Sequence, residues 1–221
     1  MSLTLPEVLG LYLVTDEAAC GDRALADIVR ASLHGGVTCV QLREKRLSTR
    51  EFVTRACLLK EVLSEAPQPV PLLINDRLDV ALASGAEGVH VGQSDMPPDV
   101  VRRWMPEAII GLSVESLADV HALALQPARV DYLGVSPVFA TPTKTDTAPA
   151  LGLAGLREIR ALTARPLVAI GGISAANAAD VLAAGADGLA VVSAICSAPD
   201  PGAAAADLAA ILRNHRRFAS R

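Results

Sequence analysis

The chain has 221 residues, of which 51% are hydrophobic and 3% aromatic, and its formal net charge at pH 7 is −4. This length allows one large domain or two small ones, and the aliphatic composition suits parallel strands packed under helices. The negative charge lacks the basic footprint of a nucleic-acid-binding protein, so we expect no nucleic-acid partner.

The cysteines and the distribution of apolar residues predict the compartment. The four cysteines show no CxxC or Cys–His pairing, which argues against a zinc site and a disulfide framework and fits a reducing cytoplasm. No apolar run reaches the ~18 residues of a membrane span, and the first ten residues lack the pattern of a secretory signal. We therefore expect a cytoplasmic protein that does not enter the membrane.

Eight short apolar runs alternate with helical patterns along the whole chain. Each run is nearly continuous in hydrophobic character, which indicates strands that are buried on both faces. The predicted strands cover residues 11–15, 38–42, 71–75, 88–92, 109–114, 131–136, 166–171 and 188–193.

The segments between these runs have the spacing and the caps of helices. The first, from Leu25, closes at Gly35 and Gly36, and Ser48 forms a capping box with Glu51 at the start of the second. The later predicted helices cover residues 76–83, 98–104, 116–125, 153–161, 175–184 and 203–213.

Eight strand–helix units predict an α/β protein, namely a single (β/α)8 barrel (TIM barrel) domain that spans residues 1–221. A doubly wound sheet is the alternative, although it usually has fewer strands, and no Pro/Ser-rich linker divides the chain. In a barrel the active site lies at the carboxyl ends of the strands, so polar residues at those ends are the candidates.

The end of the second predicted strand carries Gln41, Arg43 and Lys45. Side chains alternate along an extended segment, so these three share one face. A guanidinium and an ammonium that point into a barrel mouth suit a dianion, although an ordinary basic loop is the alternative.

The third and fourth strands are each followed by an aspartate, Asp76 and Asp95, and Asn75 directly precedes the first. Adjacent strand ends bring two carboxylates close enough to share a metal, and Mg²⁺ typically takes one or two carboxylates together with waters and phosphate oxygens. A helix cap for Asp76 and a turn residue for Asp95 are the structural alternatives. His90, inside the fourth strand, is better explained as a core or supporting residue than as a ligand.

The most distinctive stretch covers residues 134–147 and reads GVSPVFATPTKTDT. It begins as a buried strand, breaks at Ser136 and Pro137, and continues as a threonine-rich loop with one lysine. Hydroxyls, backbone amides and an ammonium suit an anionic oxygen cluster, whereas a solvated loop is the alternative.

A second candidate anion site follows the last two strands. Small residues end the last two strands: Gly171 and Gly172 at strand seven, and Ser193 at strand eight. Small residues at this place, just before a helix begins, are typical of the phosphate-binding site of these barrels. A simple tight turn is the alternative for the glycines. No Ser–His–Asp set or Cys–His pair is placed for nucleophilic catalysis. Two anion sites in one barrel mouth suit an enzyme that joins a pyrophosphorylated substrate to a phosphorylated one.

Seven motifs resemble the thiamine-phosphate synthase (thiamine-phosphate pyrophosphorylase) family. In chain order they are LYLVTD, QLREK, LLIND, GVHVGQSDMP, GVSPVFATPTKTD, VAIGGI and VVSAI, from Leu11 to about Ile195. The resemblance implies a (β/α)8 barrel and a Mg²⁺-dependent transferase of thiamine biosynthesis. It would join 4-amino-2-methyl-5-(diphosphooxymethyl)pyrimidine to 4-methyl-5-(2-phosphooxyethyl)thiazole, giving thiamine phosphate and pyrophosphate.

The resemblance also implies residues for the pyrimidine half of the site. The pyrimidine diphosphate would be held by Gln41, Arg43, Lys45 and Asn75, and the Mg²⁺ by Asp76 and Asp95. Ser113 would line the pyrimidine pocket. The implied catalytic set consists of Arg43, Lys45, Ser113 and Lys144, with Lys144 reaching the pyrophosphate.

For the thiazole phosphate, the resemblance implies contacts from strands six to eight. These are Thr141 and Thr143, together with Gly172 and the amides of Val192 and Ser193. The chain departs from the family at Glu115, where many members carry a histidine, so that position has no implied role.

Three other functions would account for part of the same pattern. A related thiazole tautomerase would share the barrel and the thiazole-phosphate cradle without needing the complete set of cations and aspartates. A non-catalytic thiamine-phosphate-binding protein would not need the metal pair. An unrelated isomerase or aldolase would need a general base or a Schiff-base lysine inside the barrel, and neither stands out. The expected partners are the two small-molecule substrates, and a homo-oligomer is compatible with the sequence.

Overall fold

Eight parallel strands form a closed barrel in the computed structural model, which describes residues 4–125, 129–140 and 149–219. The strands follow one another around the barrel in chain order, and the eighth pairs with the first. They are β1 Leu11–Val14, β2 Cys39–Leu42, β3 Leu72–Asn75, β4 Gly88–Val91, β5 Ile109–Val114, β6 Tyr132–Val135, β7 Leu167–Ile170 and β8 Gly188–Val191. All eight predicted strands are confirmed, with ends at most two residues from the predicted ones, and the doubly wound alternative is wrong.

Helices surround the barrel and connect its strands. Those in the described parts of the chain are α1 Leu5–Val8, α2 Glu17–Cys20, α3 Leu25–Gly35, α4 Thr49–Ser64, α5 Leu78–Ser84, α6 Pro98–Trp104, α7 Leu117–Leu125, α8 Gly152–Leu162, α9 Ala178–Ala183, α10 Ser193–Cys196 and α11 Pro201–Ala219. None of them is long and apolar enough to cross a membrane.

Two of the predicted caps are confirmed. Gly36 ends α3 in the left-handed conformation, with φ of 101°, where glycine avoids the clash of a β-carbon. Ser48 and Glu51 form the reciprocal capping box at the start of α4.

The predicted starts of three helices are wrong, and one of these helices is also longer than predicted: α11 covers Pro201–Ala219 rather than 203–213. α5 begins at Leu78 rather than at 76, because Asp76 has φ of 62° and cannot continue a right-handed helix. α9 begins at Ala178 rather than at 175, because residues 174–177 form a turn in which the Asn177 side chain accepts from the Ser174 amide. The helical turns α1 and α2 were not predicted, since neither is long enough to show a period.

The strands separate two apolar cores. Alternate residues such as Leu11 and Leu13 pack outward into the large layer shared with the helices, whereas Tyr12 and Val14 belong to a small cluster inside the barrel. This arrangement follows from the two-residue period of a strand. The interior cluster fills the lower barrel, so the polar residues that follow the strands surround a cavity above it. The assignment of residues 1–221 to one domain stays a prediction.

Candidate active site

A cavity of about 470 Å³ lies at the carboxyl ends of the strands. Seven of the residues for which a substrate or metal role is predicted line it: Gln41, Arg43, Lys45, Asn75, Asp76, Asp95 and Ser113. A larger groove, of about 1020 Å³, lies at the opposite end of the barrel, where β3, β4 and β5 begin. That groove is mainly apolar, and two of its three charged residues, Lys60 and Glu87, are paired with each other while the third is Glu107. The smaller cavity, at the carboxyl ends of the strands, is therefore the better candidate for chemistry.

The end of β2 supplies the positive charge of the cavity. Arg43 and Lys45 line the cavity, whereas Glu44 between them accepts from the Arg55 guanidinium of α4 at 2.6 Å. The alternation predicted from the sequence is therefore present in the structure. The backbone amide of Arg43 donates to Thr15 Oγ1 at 3.1 Å, which ties this segment to the end of β1.

Asp76 is held at the end of β3 by an unusual backbone conformation. Among the described residues, Asp76 is the one residue other than glycine that has a positive φ, 62°. Its amide donates to the His90 carbonyl at 2.8 Å. Its Oδ2 accepts from both Lys45 Nζ and Asn75 Nδ2, each at 2.6 Å. The left-handed backbone turns this carboxylate toward the basic end of β2 rather than into the cap of α5.

Asp95 lies beside Asp76, and its carboxylate makes the ionisation of Asp76 less favourable. Burial raises the pKa of Asp76, the Lys45 ammonium lowers it and the nearby Asp95 carboxylate raises it again. Asp95 Oδ2 accepts from the Gly92 amide at 2.8 Å, so this aspartate also closes the turn after β4. The structural alternative is therefore confirmed for Asp95, which closes a turn, and is wrong for Asp76, because the N-cap of α5 is Arg77.

The described residues contain no group of three or more His, Cys, Asp or Glu side chains that would enclose a metal. Two neighbouring carboxylates are nevertheless a donor set that suits Mg²⁺, which keeps several waters and takes its other oxygens from substrate phosphate. The raised pKa of Asp76 agrees with this, because a cation between the two carboxylates would offset their repulsion.

The floor of the cavity contains two tyrosines that the sequence analysis missed. The Tyr12 and Tyr132 hydroxyls lie 2.9 Å apart, and Gln41 Nε2 donates to Tyr12 at 2.8 Å. Tyr132 lies 2.8 Å from His90 Nδ1, and His90 Nε2 lies 2.9 Å from Ser113 Oγ. Burial raises the pKa of both tyrosines well above its ordinary value, so both phenols are neutral.

A signal for these tyrosines was available in the sequence. They are the only two in the chain, and each lies within an otherwise aliphatic strand, where a hydroxyl needs a buried partner. Two further cavity residues, Gln93 and Glu115, follow β4 and β5, and Gln93 Nε2 donates to the Ser113 carbonyl at 2.7 Å. The expectation that His90 is a supporting residue agrees with its bonds to Tyr132 and Ser113.

The ends of β6 and β7 are joined by backbone contacts. The amide of Val138 donates to Ile170 at 2.9 Å and that of Phe139 to Gly171 at 3.0 Å. Gly171 and Gly172 both have positive φ, 108° and 62°, and a β-carbon on Gly172 would lie 2.9 Å from that of Phe139. The positive φ of both glycines agrees with the tight turn that was the alternative for them, and the lack of a β-carbon permits the close approach of the segment that leads to residue 140. Their predicted role in binding phosphate stays a prediction.

Gly172, Val192 and Ser193 lie at the same end of the barrel but outside the lining of the 470 Å³ cavity. Ile170 pairs with Ala190, and Gly172 and Val192 each lie two residues beyond this pair. Thr141, Thr143 and Lys144 lie outside the described residues, so their predicted roles stay predictions.

Comparisons with known proteins agree with the motifs. Residues 11–195 match the family model for thiamine monophosphate synthase. The chain is 62% identical over 200 residues to a thiamine-phosphate synthase of Albidiferax ferrireducens, covering 90% of each chain. It is 53% identical over 198 residues to a thiamine-phosphate synthase of Leptospira biflexa, covering 88% of this chain and 93% of the relative.

Solved structures lead to the same family. The thiamine phosphate pyrophosphorylase of Pyrococcus furiosus superimposes with a TM-score of 0.85 at 38% identity, covering 96% of this chain and 99% of that chain. A 3-hexulose-6-phosphate synthase, at 19% identity and a TM-score of 0.63, shares the fold alone. The family match over most of the chain, the identity to the curated relatives and the closed barrel together show that this chain belongs to the thiamine monophosphate synthase family.

Proposed function

We propose that this protein condenses 4-amino-2-methyl-5-(diphosphooxymethyl)pyrimidine with 4-methyl-5-(2-phosphooxyethyl)thiazole, releasing thiamine phosphate and pyrophosphate. The observation that carries this proposal is the pairing of opposite charges in one barrel mouth. Arg43, Lys45, Asp76 and Asp95 line one cavity, with Lys45 bonded to Asp76, in a chain whose relatives are named as thiamine-phosphate synthases.

The positive side of the cavity would bind the diphosphate. Arg43 offers a planar fork of donors to phosphate oxygens, and Lys45 offers a compact charge that already bonds to Asp76 at 2.6 Å. Asn75 and Gln41 would add amide donors. These groups favour the products of bond cleavage because negative charge accumulates on the departing pyrophosphate.

The two aspartates would hold the metal. Their proximity and the raised pKa of Asp76 support a shared cation, and a diphosphate would supply the remaining oxygens. Bound Mg²⁺ would contribute positive charge next to the leaving group. The residues present therefore fit this ion, and we include it in the proposal.

The reaction needs no nucleophile from the protein. The bond between the pyrimidine methylene carbon and the pyrophosphate oxygen breaks, and both electrons leave with the oxygen. The electron-rich aminopyrimidine stabilises the cation that forms, and the thiazole nitrogen then donates its lone pair to that carbon. The contribution of the chain would be to bind and orient both rings and to exclude water from the cation.

Ser113 would contact the pyrimidine ring from the cavity wall. Its hydroxyl is bonded to His90, and its carbonyl is bonded to Gln93, so the residue is fixed on two sides. The thiazole phosphate would bind at the ends of β7 and β8, at Gly172 and the amides of Val192 and Ser193, together with Thr141 and Thr143. Lys144 would contact the pyrophosphate.

We also propose that the protein works on these small molecules in the cytoplasm. The four cysteines are unpaired, and three of them are buried, which agrees with a reducing compartment.

The test is a pyrophosphate-release assay with both substrates and Mg²⁺. We expect release that requires each substrate and that stops on addition of a chelator; no release with all components would refute the proposal. Asp76→Asn should lose this activity. The matched control is Asp207→Asn, which removes an exposed aspartate on α11, on the outside of the barrel. A thiazole tautomerase would process the thiazole phosphate without releasing any pyrophosphate.

A further inference from the structure

The hydrogen-bonded side chains on the cavity floor form a continuous chain from Gln41 to Ser113. It runs from Gln41 through Tyr12, Tyr132 and His90 to the Ser113 hydroxyl, with every link between 2.8 and 2.9 Å. It crosses the barrel from β2 to β5, and its two end members, Gln41 and Ser113, are the ones assigned above to the pyrimidine diphosphate.

The first link sets the direction. Gln41 Nε2 can only donate, so the Tyr12 oxygen accepts there and its own proton must be donated elsewhere. The nearby acceptors are the Tyr132 oxygen at 2.9 Å and the Cys39 sulfur. Burial raises the pKa of Cys39, so it is a neutral thiol and a weak acceptor. The Tyr12 proton therefore points to Tyr132.

The remaining links follow from the count of protons. Tyr132 accepts from Tyr12, so its own proton is donated to His90 Nδ1. A neutral imidazole that accepts at Nδ1 carries its proton on Nε2, which then donates to Ser113 Oγ. Ser113 in turn has its own proton to donate, and its side chain borders the cavity.

The surrounding backbone leaves room for these rings. A β-carbon on Gly111 would overlap both the Tyr132 phenol and His90 Nδ1, and one on Gly134 would lie 2.7 Å from His90 Cε1. Glycine inside a strand loses packing and costs conformational entropy, so it marks places where another group approaches closely. The two glycines allow the His90 and Tyr132 rings, 5.5 Å apart between centroids, to lie against β5 and β6.

We propose, on the basis of the function proposed above, that Tyr12, Tyr132 and His90 are positioning residues that hold Ser113 as a hydrogen-bond donor to the substrate. The chain keeps His90 in the Nε2–H tautomer and directs the Ser113 proton into the cavity. The group that this donor recognises is a ring-nitrogen lone pair of the aminopyrimidine. Side chains that only filled space would fix neither the tautomer of His90 nor the direction in which the Ser113 proton points.

The tautomer is measured first, on the ligand-free wild-type protein, by long-range proton–nitrogen NMR of the histidine rings. The His90 signals are identified by their loss in His90→Gln. We expect a protonated Nε2 and an unprotonated Nδ1 at neutral pH. A principal form with a proton on Nδ1, alone or on both nitrogens, would overturn the proposal.

Two variants then remove links of the chain while keeping the rings. Tyr132→Phe takes away the donor to His90 Nδ1, so a fraction of the Nδ1–H tautomer should appear. Tyr12→Phe removes the preceding link and should have the same effect to a smaller extent. An unchanged tautomer in Tyr132→Phe would contradict the proposal, because the donor would then have no influence.

Steady-state kinetics tests whether the chain acts through Ser113. Tyr132→Phe should raise KM for the pyrimidine diphosphate about three- to ten-fold, the worth of one neutral hydrogen bond, with kcat within about two-fold of wild type. Ser113→Ala should abolish this effect, so the double variant should match Ser113→Ala alone. Effects that multiply in the double variant would refute the coupling.

The matched control uses Ser136, which lines the same cavity from the end of β6 but is not a member of the chain. Tyr132→Phe and Ser136→Ala should have effects on KM that multiply. If this pair were as strongly coupled as the pair with Ser113, the effect would be general and the proposal would fail. The NMR result does not depend on turnover, so it separates failure of this proposal from failure of the proposed function, which wild-type pyrophosphate release decides.

Discussion

Gly111→Ala is the substitution for which the structure predicts the clearest loss of stability. Gly111 lies in β5 with φ outside the left-handed region, so alanine meets no backbone strain there. Its new β-carbon would overlap the Tyr132 ring and His90 Nδ1, closer than the 3.0 Å that real β-carbons respect. Tyr132 is fully buried and is hydrogen-bonded to Tyr12 and His90, so its ring can move away only by breaking these bonds.

The expected cost combines two effects. Overpacking a core position typically costs about 1–3 kcal/mol. Separating Tyr132 from His90 adds about 1 kcal/mol for the lost hydrogen bond, and the restricted unfolded chain offsets about 0.5 kcal/mol. A net loss of about 2–3 kcal/mol should lower Tm by about 4–12 °C in a chain of this size.

Thermal unfolding by circular dichroism measures this loss, and KM for the pyrimidine diphosphate should rise with it. The control is Gly85→Ala at the end of α5, where a β-carbon meets no atom within 4 Å but φ is +66°. Its cost comes from the backbone alone, about 1–2 kcal/mol, and KM should stay at the wild-type value. Wild-type Tm and KM in Gly111→Ala would refute the packing described for the cavity floor.

Three further predictions concern the charged residues. Asp76→Asn should raise Tm of the metal-free protein at pH 7. Burial raises the pKa of Asp76 in the folded state, so the wild-type protein loses stability as the pH rises from about 4 through that pKa. The variant has no carboxyl group at this position and does not lose this stability. Thermal unfolding between pH 4 and 8 checks this, and a variant that is less stable at pH 7 would contradict it. Asp95→Asn keeps an acceptor for the Gly92 amide, so Tm should change little while Mg²⁺-dependent turnover is lost. Asp95→Ala should lose this turnover and also about 1 kcal/mol of stability, because the Gly92 amide loses its acceptor. Full activity of either variant would exclude the metal role. Lys144→Ala should lower kcat on the order of 10²-fold in single-turnover kinetics if it contacts the leaving group, and an unchanged rate would exclude that contact.

The strands were predictable because a strand that is buried on both faces appears in the sequence as a continuous apolar run. Each strand of the closed parallel sheet lies between the interior cluster and the helices, so its residues are almost all apolar, and eight such runs were visible. Helix starts were less predictable, because they depend on single backbone angles. The left-handed conformation at Asp76 and the turn closed by Asn177 moved two of them.

The sequence by itself determined the barrel, its family and the polar residues at the ends of the second to the eighth strand, because hydrophobic period and motif order are properties of consecutive residues. Only the tertiary structure decided how residues from different strands meet. Tyr12 and Tyr132 are 120 positions apart, yet their hydroxyls lie 2.9 Å from each other because closure of the barrel brings β1 and β6 across one interior. No local pattern records a hydrogen bond across a barrel, and for that reason the floor of the site became visible only in the folded chain.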